Sequence, residues 1–430
     1  MKRMSKVVVR DTSADLAEDV AAVFGPFGKA GRLVAGKDVI IKPNAVHYLP
    51  GQPTATELLD ALLQYLRSEG AKKIYIAENS TAGNLTRVVF RVLGWDRLAK
   101  KYGAVPIYLD EEPTRPVFLP GESRPVQIPR FLHERLIEDP DRNFYLSVPR
   151  LKTHSMSHLT LGIKNQQGLL VHVDRLTDHN YNLGRRLVRI LHRFHPDFTL
   201  VEGTTATVRG HFPIKMDLAK SIVPTRVLFG GPDVVAVDAV GARILGYRPD
   251  EVDHIRRAGE AGLGCADLSS IKVLGTLDRF QERYPYLPDI RVPKDINLIY
   301  GKERACYEGC RGNTEIALHM FANDYGGKGG FNVVMGKGVD ISELENRDGP
   351  FLVVGPCAVS ETGELLKSMY KKRKIYCINQ HNDLANVSGK LLRLMRPKTG
   401  DLLPLSVFEA ASLMAAAYWK GTTSRVINPF

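Results

Sequence analysis

The stretch "KDVIIKPNAVHYLPGQPTATELLDALLQYLRSEGAKKIYIAENS", Lys37 to Ser80, decides the fold. It opens with a short apolar run that breaks at Lys42, Pro43 and Asn44, the length and edges of a buried strand. Leu58, Leu59, Leu62, Leu63 and Leu66 then recur at helical spacing, with Thr54 and Glu57 in a capping-box pattern and Gly70 as a stop. "KKIYIAENS" reads as the next strand. Strand, helix and strand in that order predict a right-handed crossover between parallel neighbours.

The alternation continues outward to about residue 275. "FYLSVP", "FTLVEG" and "TRVLFGG" are further strands, and "PDVVAVDAVGARILGY" is a helix packed through Val234, Val237, Val240 and Ile244. The proline-punctuated "PDIRVPKDIN" reads as a linker. After it come the helices "NTEIALHMFANDYGG" and "SETGELLKSMYKK" and the short strands "FNVVMGKG", "PFLVVGPC" and "KIYCIN". "SVFEAASLMAAAYWKG" is an apolar helix expected to dock on one of the cores. The expected fold class is α/β: a mostly parallel sheet with flanking helices, plus a smaller C-terminal α/β domain. The division falls between residues 1–295, the large domain, and 296–430, the small one.

Composition narrows the function. A chain of 430 residues with 44% hydrophobic and 25% charged residues has an ordinary globular make-up. The formal net charge of +12 favours anionic ligands. The basic residues are dispersed, and the one dense run, "KKRK" at Lys371 to Lys374, reads as a solvated helix end. There is no recognition helix, zinc finger or aromatic-interleaved basic stripe, so nucleic acid is an unlikely partner. No run approaches the roughly 18 apolar residues of a membrane span, and the start lacks a signal-peptide core. The expectation is a cytoplasmic protein that does not enter the membrane. Five cysteines, an odd number, point to free thiols or ligands rather than to a disulfide scaffold.

Ligands of open α/β sheets gather at the carboxyl ends of the strands. Those ends carry Lys42 and Asn44, then Glu78, then Lys152, His154 and His158, and then Glu202, with Lys164 and Asn165 close behind the third. Lys42, Asn44, Glu78, Lys164, Asn165 and Glu202 are the candidate substrate-binding residues, and Lys152, His154 and His158 the candidate catalytic ones. Lysines there suit a carboxylate or phosphate. His154 and His158, four apart, would share one face of a helix, a spacing that suits proton transfer or metal chelation. "GTTATVRGHFP", Gly203 to Pro213, reads as a mobile or anion-binding loop.

A second set lies in the small domain. Cys306 and Cys310 stand four apart ahead of a helix, and Cys357 ends a strand ahead of another. Thiolates are stabilised at helix N-termini, and three of them suit a 4Fe–4S cluster or another thiophilic metal. A metal-free alternative makes Cys310 or Cys357 a nucleophile.

The ordered motifs "IKPNAV", "VPRLKTHSMSHLTLGIKNQQGL", "VEGTTATVRG" and "DVVAVDAVGARILGY" resemble the domain of unknown function 362 family from about Lys42 to Leu274. Many of its members carry a fused ferredoxin-like module, so the resemblance implies redox work, although this chain lacks the C-x-x-C-x-x-C-x-x-x-C-P run. The reading that results is an enzyme acting on a small anionic substrate in an interdomain cleft, by redox, isomerase or dehydratase chemistry. A cluster would bring an electron-transfer partner with it. The alternative from another class is a non-catalytic binding protein for an anion or nucleic acid.

Overall fold

The structure, a computed structural model, describes residues 4–28, 33–398, 400 and 404–426. β1 (Ser5–Asp11) and α1 (Leu16–Phe24) precede the deciding stretch, which folds into β2 (Asp38–Pro43), α2 (Thr56–Ser68) and β3 (Lys73–Glu78). β2 and β3 are parallel, with Ile40 opposite Tyr75. All five leucines of α2 are fully buried, and the chain leaves the helix through Gly70 at φ +79°, a conformation that glycine adopts without strain.

The capping box does not form. The residue before α2 is Ala55, and no side chain caps the helix. Thr54 is completely buried: its Oγ1 accepts from the Asn44 N–H (2.9 Å) and donates to the Val148 carbonyl (2.7 Å). A buried hydroxyl has to satisfy the strand groups beside it, and that outweighs a local cap.

The next elements are α3 (Thr86–Leu93), β4 (Val105–Tyr108) and a separate ribbon of β5 (Thr114–Val117) and β6 (Val126–Pro129). β7 (Asn143–Val148), β8 (Arg150–His154), β9 (His158–Thr160), α4 (Gly162–Asn165) and α5 (His172–Leu176) follow. β10 (Phe198–Thr207), β11 (Ile222–Gly231), α6 (Val234–Ile244) and β12 (Ile271–Leu274) complete the large unit. Ten strands form one sheet in the order β12-β1-β11-β10-β7-β2-β3-β4, with β8 beside β10 and β9 on β8. Its pairs are parallel except where β11 meets β1 and β10, and where β9 meets β8. Separate apolar clusters cover its two faces, which is why the strands read as continuous apolar runs.

A smaller parallel sheet contains β13 (Ile296–Tyr300), β14 (Phe331–Met335), β15 (Phe351–Val354) and β16 (Ile375–Ile378) in sequence order. Its helices are α7 (Cys310–Tyr325), α8 (Pro356–Met369) and α9 (Leu384–Met395). The sequence pattern predicts three of these strands and passes over β13, which buries only Ile296 and Ile299 and follows the linker directly. α10 (Val407–Trp419) crosses back to the large unit, where Leu413 and Ala417 pack on Leu85 and Val88. Asp324 of α7 accepts from the backbone N–H groups of Lys215 (2.7 Å) and Met216 (3.2 Å), a second tie between the two parts.

Strand pairing overturns one local expectation and decides another point that the sequence leaves open. Gly203 to Thr207 is not loop but the end of β10, paired with β11, so only Val208 to Pro213 remains loop. "HSMSHLTLG" is not helical: β8 and β9 form an antiparallel hairpin in which His154 stands opposite His158.

Replacing Thr54 by valine keeps its shape and removes its hydroxyl. Two buried strand groups would lose their partner, a cost of about 2 kcal/mol or more. Urea unfolding should show that loss for Thr54→Val and recovery of most of it in Thr54→Ser.

Candidate functional site

β2 and β3 end side by side, so Lys42 and Glu78 meet below the carboxyl edge of the sheet. Lys42 Nζ donates to Glu78 Oε1 (2.9 Å), Asn165 Oδ1 (3.1 Å) and the Pro43 carbonyl (3.3 Å). Glu78 also accepts from the N–H groups of Ala45 and Asn79. Both charged side chains are almost fully buried, and no Cβ fits at Gly168, where it would lie 2.6 Å from Lys42 Nζ. Burial pulls the lysine below its ordinary value, and Glu78 opposes that shift.

Asn165 is presented by α4, a single turn held from below. Asp238 on α6 accepts from the N–H groups of Gly162 (2.7 Å) and Ile163 (2.9 Å). Burial raises its carboxyl to about 7, against the pull of those two bonds. Gly162 packs so closely on Val234 and Asp238 that a side chain there would clash. The pairing of "TLGIKN" with "VVAVDAV" is thus one of position: the second motif holds the turn that aims Lys164 and Asn165.

β8 delivers Lys152 and His154. Lys152, 2% exposed, donates to Asn44 Oδ1 (2.5 Å) and the Gln52 carbonyl (3.0 Å). Burial pulls its pKa well below 10.5, and Arg150, Lys164 and Lys42 nearby add to the shift. Lys164 meets only the amide oxygen of Gln167 (3.1 Å), and burial lowers it to about 8. Arg175 gives four of its five N–H groups to the carbonyls of Leu170, Ser80, Asn79 and Gly168, and burial lowers it to about 10.

The histidines divide by tautomer. His154 Nδ1 accepts from the Met156 N–H (3.1 Å), so its neutral ring carries the proton on Nε2. His179 Nδ1 donates to the Glu308 carbonyl (2.7 Å), which leaves a lone pair on Nε2. The His211 ring stacks flat on His154 (centroids 3.7 Å apart, planes within 2°), and its Nδ1 meets Ser155 Oγ at 3.2 Å. Burial holds all three neutral: His179 falls to about 3, and His154 and His211 lie well below 6.5.

These groups line one cavity of about 590 Å³ between the large sheet and the helices of the small domain. Lys42, Lys152, Lys164 and Arg175 all face it, and among the described residues Glu78 is the only carboxylate in its wall. Glu78 is committed to Lys42. Lys152, Lys164 and Arg175 have amide and carbonyl partners alone.

Of the nine sequence candidates in the large domain, Lys42, Asn44, Glu78, Lys152, His154, Lys164 and Asn165 meet at this cavity. Glu202 does not line it: fully buried, it pairs with Arg150 and accepts from Thr204. His158, although opposite His154 in the hairpin, does not line the cavity: it stands at φ +62° with its ring centroid 4.2 Å from that of Tyr286. His179 and His211 are functional candidates that the sequence pattern passes over. The only sign of His211 is its place in the loop after a glycine-rich strand.

Cys306, Cys310 and Cys357 are unpaired and close enough for their charges to interact, but none lines the cavity. Cys310 and Cys357 do begin α7 and α8. The expected thiolate stabilisation is absent at Cys310, whose Sγ accepts from the Asn382 N–H (3.4 Å) and whose pKa burial raises. Burial raises that of Cys306 too. Among the described residues no three His, Cys, Asp or Glu side chains are placed to hold a metal ion.

The model of a family described as a domain of unknown function (DUF362) matches residues 39–243, the part that supplies most of this wall. A thylakoid-associated protein of Synechocystis sp. is 25% identical over 263 residues, 58% of this chain and 76% of that protein. A structural-genomics crystal structure from Thermotoga maritima, 12% identical, gives a TM-score of 0.32 over 74% of this chain and 69% of its own.

The neutral histidines make stability depend on pH. His47 (about 4), His154, His172, His179, His211 and His254 (about 3) all have folded values below the ordinary 6.5. Their contribution is complete above pH 6.5 and is lost as pH falls, when the unfolded chain binds protons that the folded one excludes. Each such proton changes stability by about 1.4 kcal/mol per pH unit. Asp238 works the other way between 3.8 and about 7, and the carboxyls of Asp110, Glu111, Glu112, Asp174 and Asp197, also raised by burial, oppose the histidines above their own ordinary values. Urea midpoints should therefore drop steeply from pH 6.5 to 5, and a level profile over that range would contradict the buried neutral rings.

Proposed function

We propose, for a chain whose residues 39–243 belong to the DUF362 family, that the cavity binds a small carboxylate or phosphate substrate and moves a proton on it, as an isomerase or dehydratase does. What carries this reading is that three enclosed basic side chains, Lys152, Lys164 and Arg175, face one cavity with no ion pair among the described residues. Enclosed cations lacking counter-charges destabilise a protein unless a ligand supplies the anion. Lys152, Lys164 and Arg175 would hold the anionic group. The Nε2 lone pair of His179 would take a proton from substrate carbon, and the Nε2–H of His154 would donate to the substrate oxygen where charge develops. The same proton returns to carbon in an isomerisation, or leaves with hydroxide as water in a dehydration, so no redox partner is needed.

Binding in this arrangement draws protons onto Lys164. Inorganic phosphate, titrated calorimetrically, should bind with proton uptake, and its affinity should fall about tenfold per pH unit above pH 8, where the free amine is neutral. Lys164→Met should weaken phosphate by roughly ten- to a hundredfold without loss of stability in the free protein. Unchanged affinity in that variant overturns the reading. Binding as proposed, with no turnover of any hydroxy acid or phosphate ester, leaves a non-catalytic binder.

A second reading is favoured by the mutual closeness of Cys306, Cys310 and Cys357 at one end of the small sheet. In it they bind a 4Fe–4S cluster or thiophilic metal and serve an electron-transfer partner. The side chains as placed do not form a metal-holding set, and no catalytic step is drawn through one. Five unpaired thiols suit a reducing, cytoplasmic setting, and among the described residues no helix is long and apolar enough to cross a membrane. Iron and sulfide analysis of anaerobically purified protein decides this reading. About four of each per chain, lost together in any single cysteine-to-serine variant, supports it; neither element with three alkylated thiols removes it.

A further inference from the structure

The two walls of the cavity differ in kind. Strand ends and α4 make a wall of cations, amides and imidazoles. The opposite wall comes from α7, the turn at Asn382, α9 and α10; most of it is apolar (Ile316, Met320, Phe321, Leu384, Leu392 and Met414), with Asn313, Tyr325, Asn382 and Ser388 among them. The spacing shows that these are helix faces turned to the cavity. α7 contributes positions 313, 316, 317, 320, 321 and 325, and α9 contributes 384, 388 and 392, one stripe from each helix. Among the described residues, none that the small domain or α10 gives to the wall is charged.

The apolar stripe offers no hydrogen bond to the hydroxyl groups of a sugar or nucleotide lying along it, and burying those groups without hydrogen bonds is costly. A bare phosphate or a short acid would fill the cationic end and leave the apolar wall wet. The volume of about 590 Å³ is that of a site for a much larger molecule, inside the roughly 300–1,000 Å³ usual for small-molecule pockets.

We propose that the ligand is a single-headed amphiphilic anion, with its phosphate or carboxylate at Lys152, Lys164 and Arg175 and a hydrocarbon body lying against α7 and α9. The proposal rests on the anion-binding reading above and adds the rest of the molecule to it. The small domain then acts as the binding surface for the hydrocarbon, and proton transfer takes place at the head.

The test is a chain-length series on the full chain: inorganic phosphate, then n-alkyl phosphates from butyl to dodecyl below their micellar concentrations, measured by calorimetry. Alkyl carboxylates of matching length form a second arm that identifies the head, and alkyltrimethylammonium ions form a third with the charge reversed. Each methylene buried should tighten binding about fourfold until the cavity is full, after which affinity levels off. The cationic arm should not bind. Leu392→Trp should bring the plateau to shorter chains; because that variant risks misfolding, Met320→Gln, which should flatten the slope, is the second. A flat wild-type series in which inorganic phosphate binds as well as the dodecyl ester overturns the amphiphile and leaves the anion site standing. If no anion in either arm binds, both readings fall.

Discussion

A lysine and a glutamate buried together at the ends of β2 and β3 hold the site in place. Taking two charges out of water costs several kcal/mol per ion, and the pair survives only if every donor and acceptor is used. Here they are. Lys42 spends its three protons on Glu78, Asn165 and its neighbouring carbonyl, and Glu78 receives two backbone N–H groups besides. Asn165 returns a bond from its amide to the Lys42 carbonyl (3.1 Å). Two strand ends and the α4 turn are thereby fixed relative to one another, with Gly168 admitting the ammonium group where any side chain would displace it.

The neighbouring cations obey the opposite logic. Lys152, Lys164 and Arg175 lie close by, yet their partners are amides and carbonyls, which solvate charge without cancelling it. The imidazoles around them are kept neutral by burial first, and the nearby lysines add to the shift. The result is a region under electrostatic tension beside one that is fully satisfied. Stability is given up there, and proteins give it up at functional sites. Asp238, one element away, supports that tension without adding a carboxylate to the cavity: it grips the backbone of α4 from beneath.

The small domain completes the cavity. Its helices are tied to the large unit through Asp324 and through the His179–Glu308 bond, and the latter also sets the tautomer of a candidate base. The placement of one domain and the protonation of a side chain on the other are thus a single fact. The three cysteines sit outside this arrangement, Cys306 ahead of α7 and the other two in the first turns of α7 and α8, and burial raises the thiols of Cys306 and Cys310.

The fold was legible because periodicity is local. The five leucines of α2, the apolar runs on either side and the Val234–Ile244 helix carry their structure in their spacing, and the family motifs lie on those elements. Lys42, Lys152 and His154 could be found as polar residues at strand ends, a property of position in a parallel sheet, and Lys164 by its place close behind one of them. Tertiary structure alone decided the rest. It gave Thr54 to a strand clip instead of a helix cap, folded His154 and His158 into a hairpin, committed Glu202 to Arg150 and brought His179 and His211 to the cavity. Each of those outcomes depends on a partner between about 50 and 130 residues away, or on strand pairing, and one-dimensional spacing holds no record of which distant group will meet a buried polar atom.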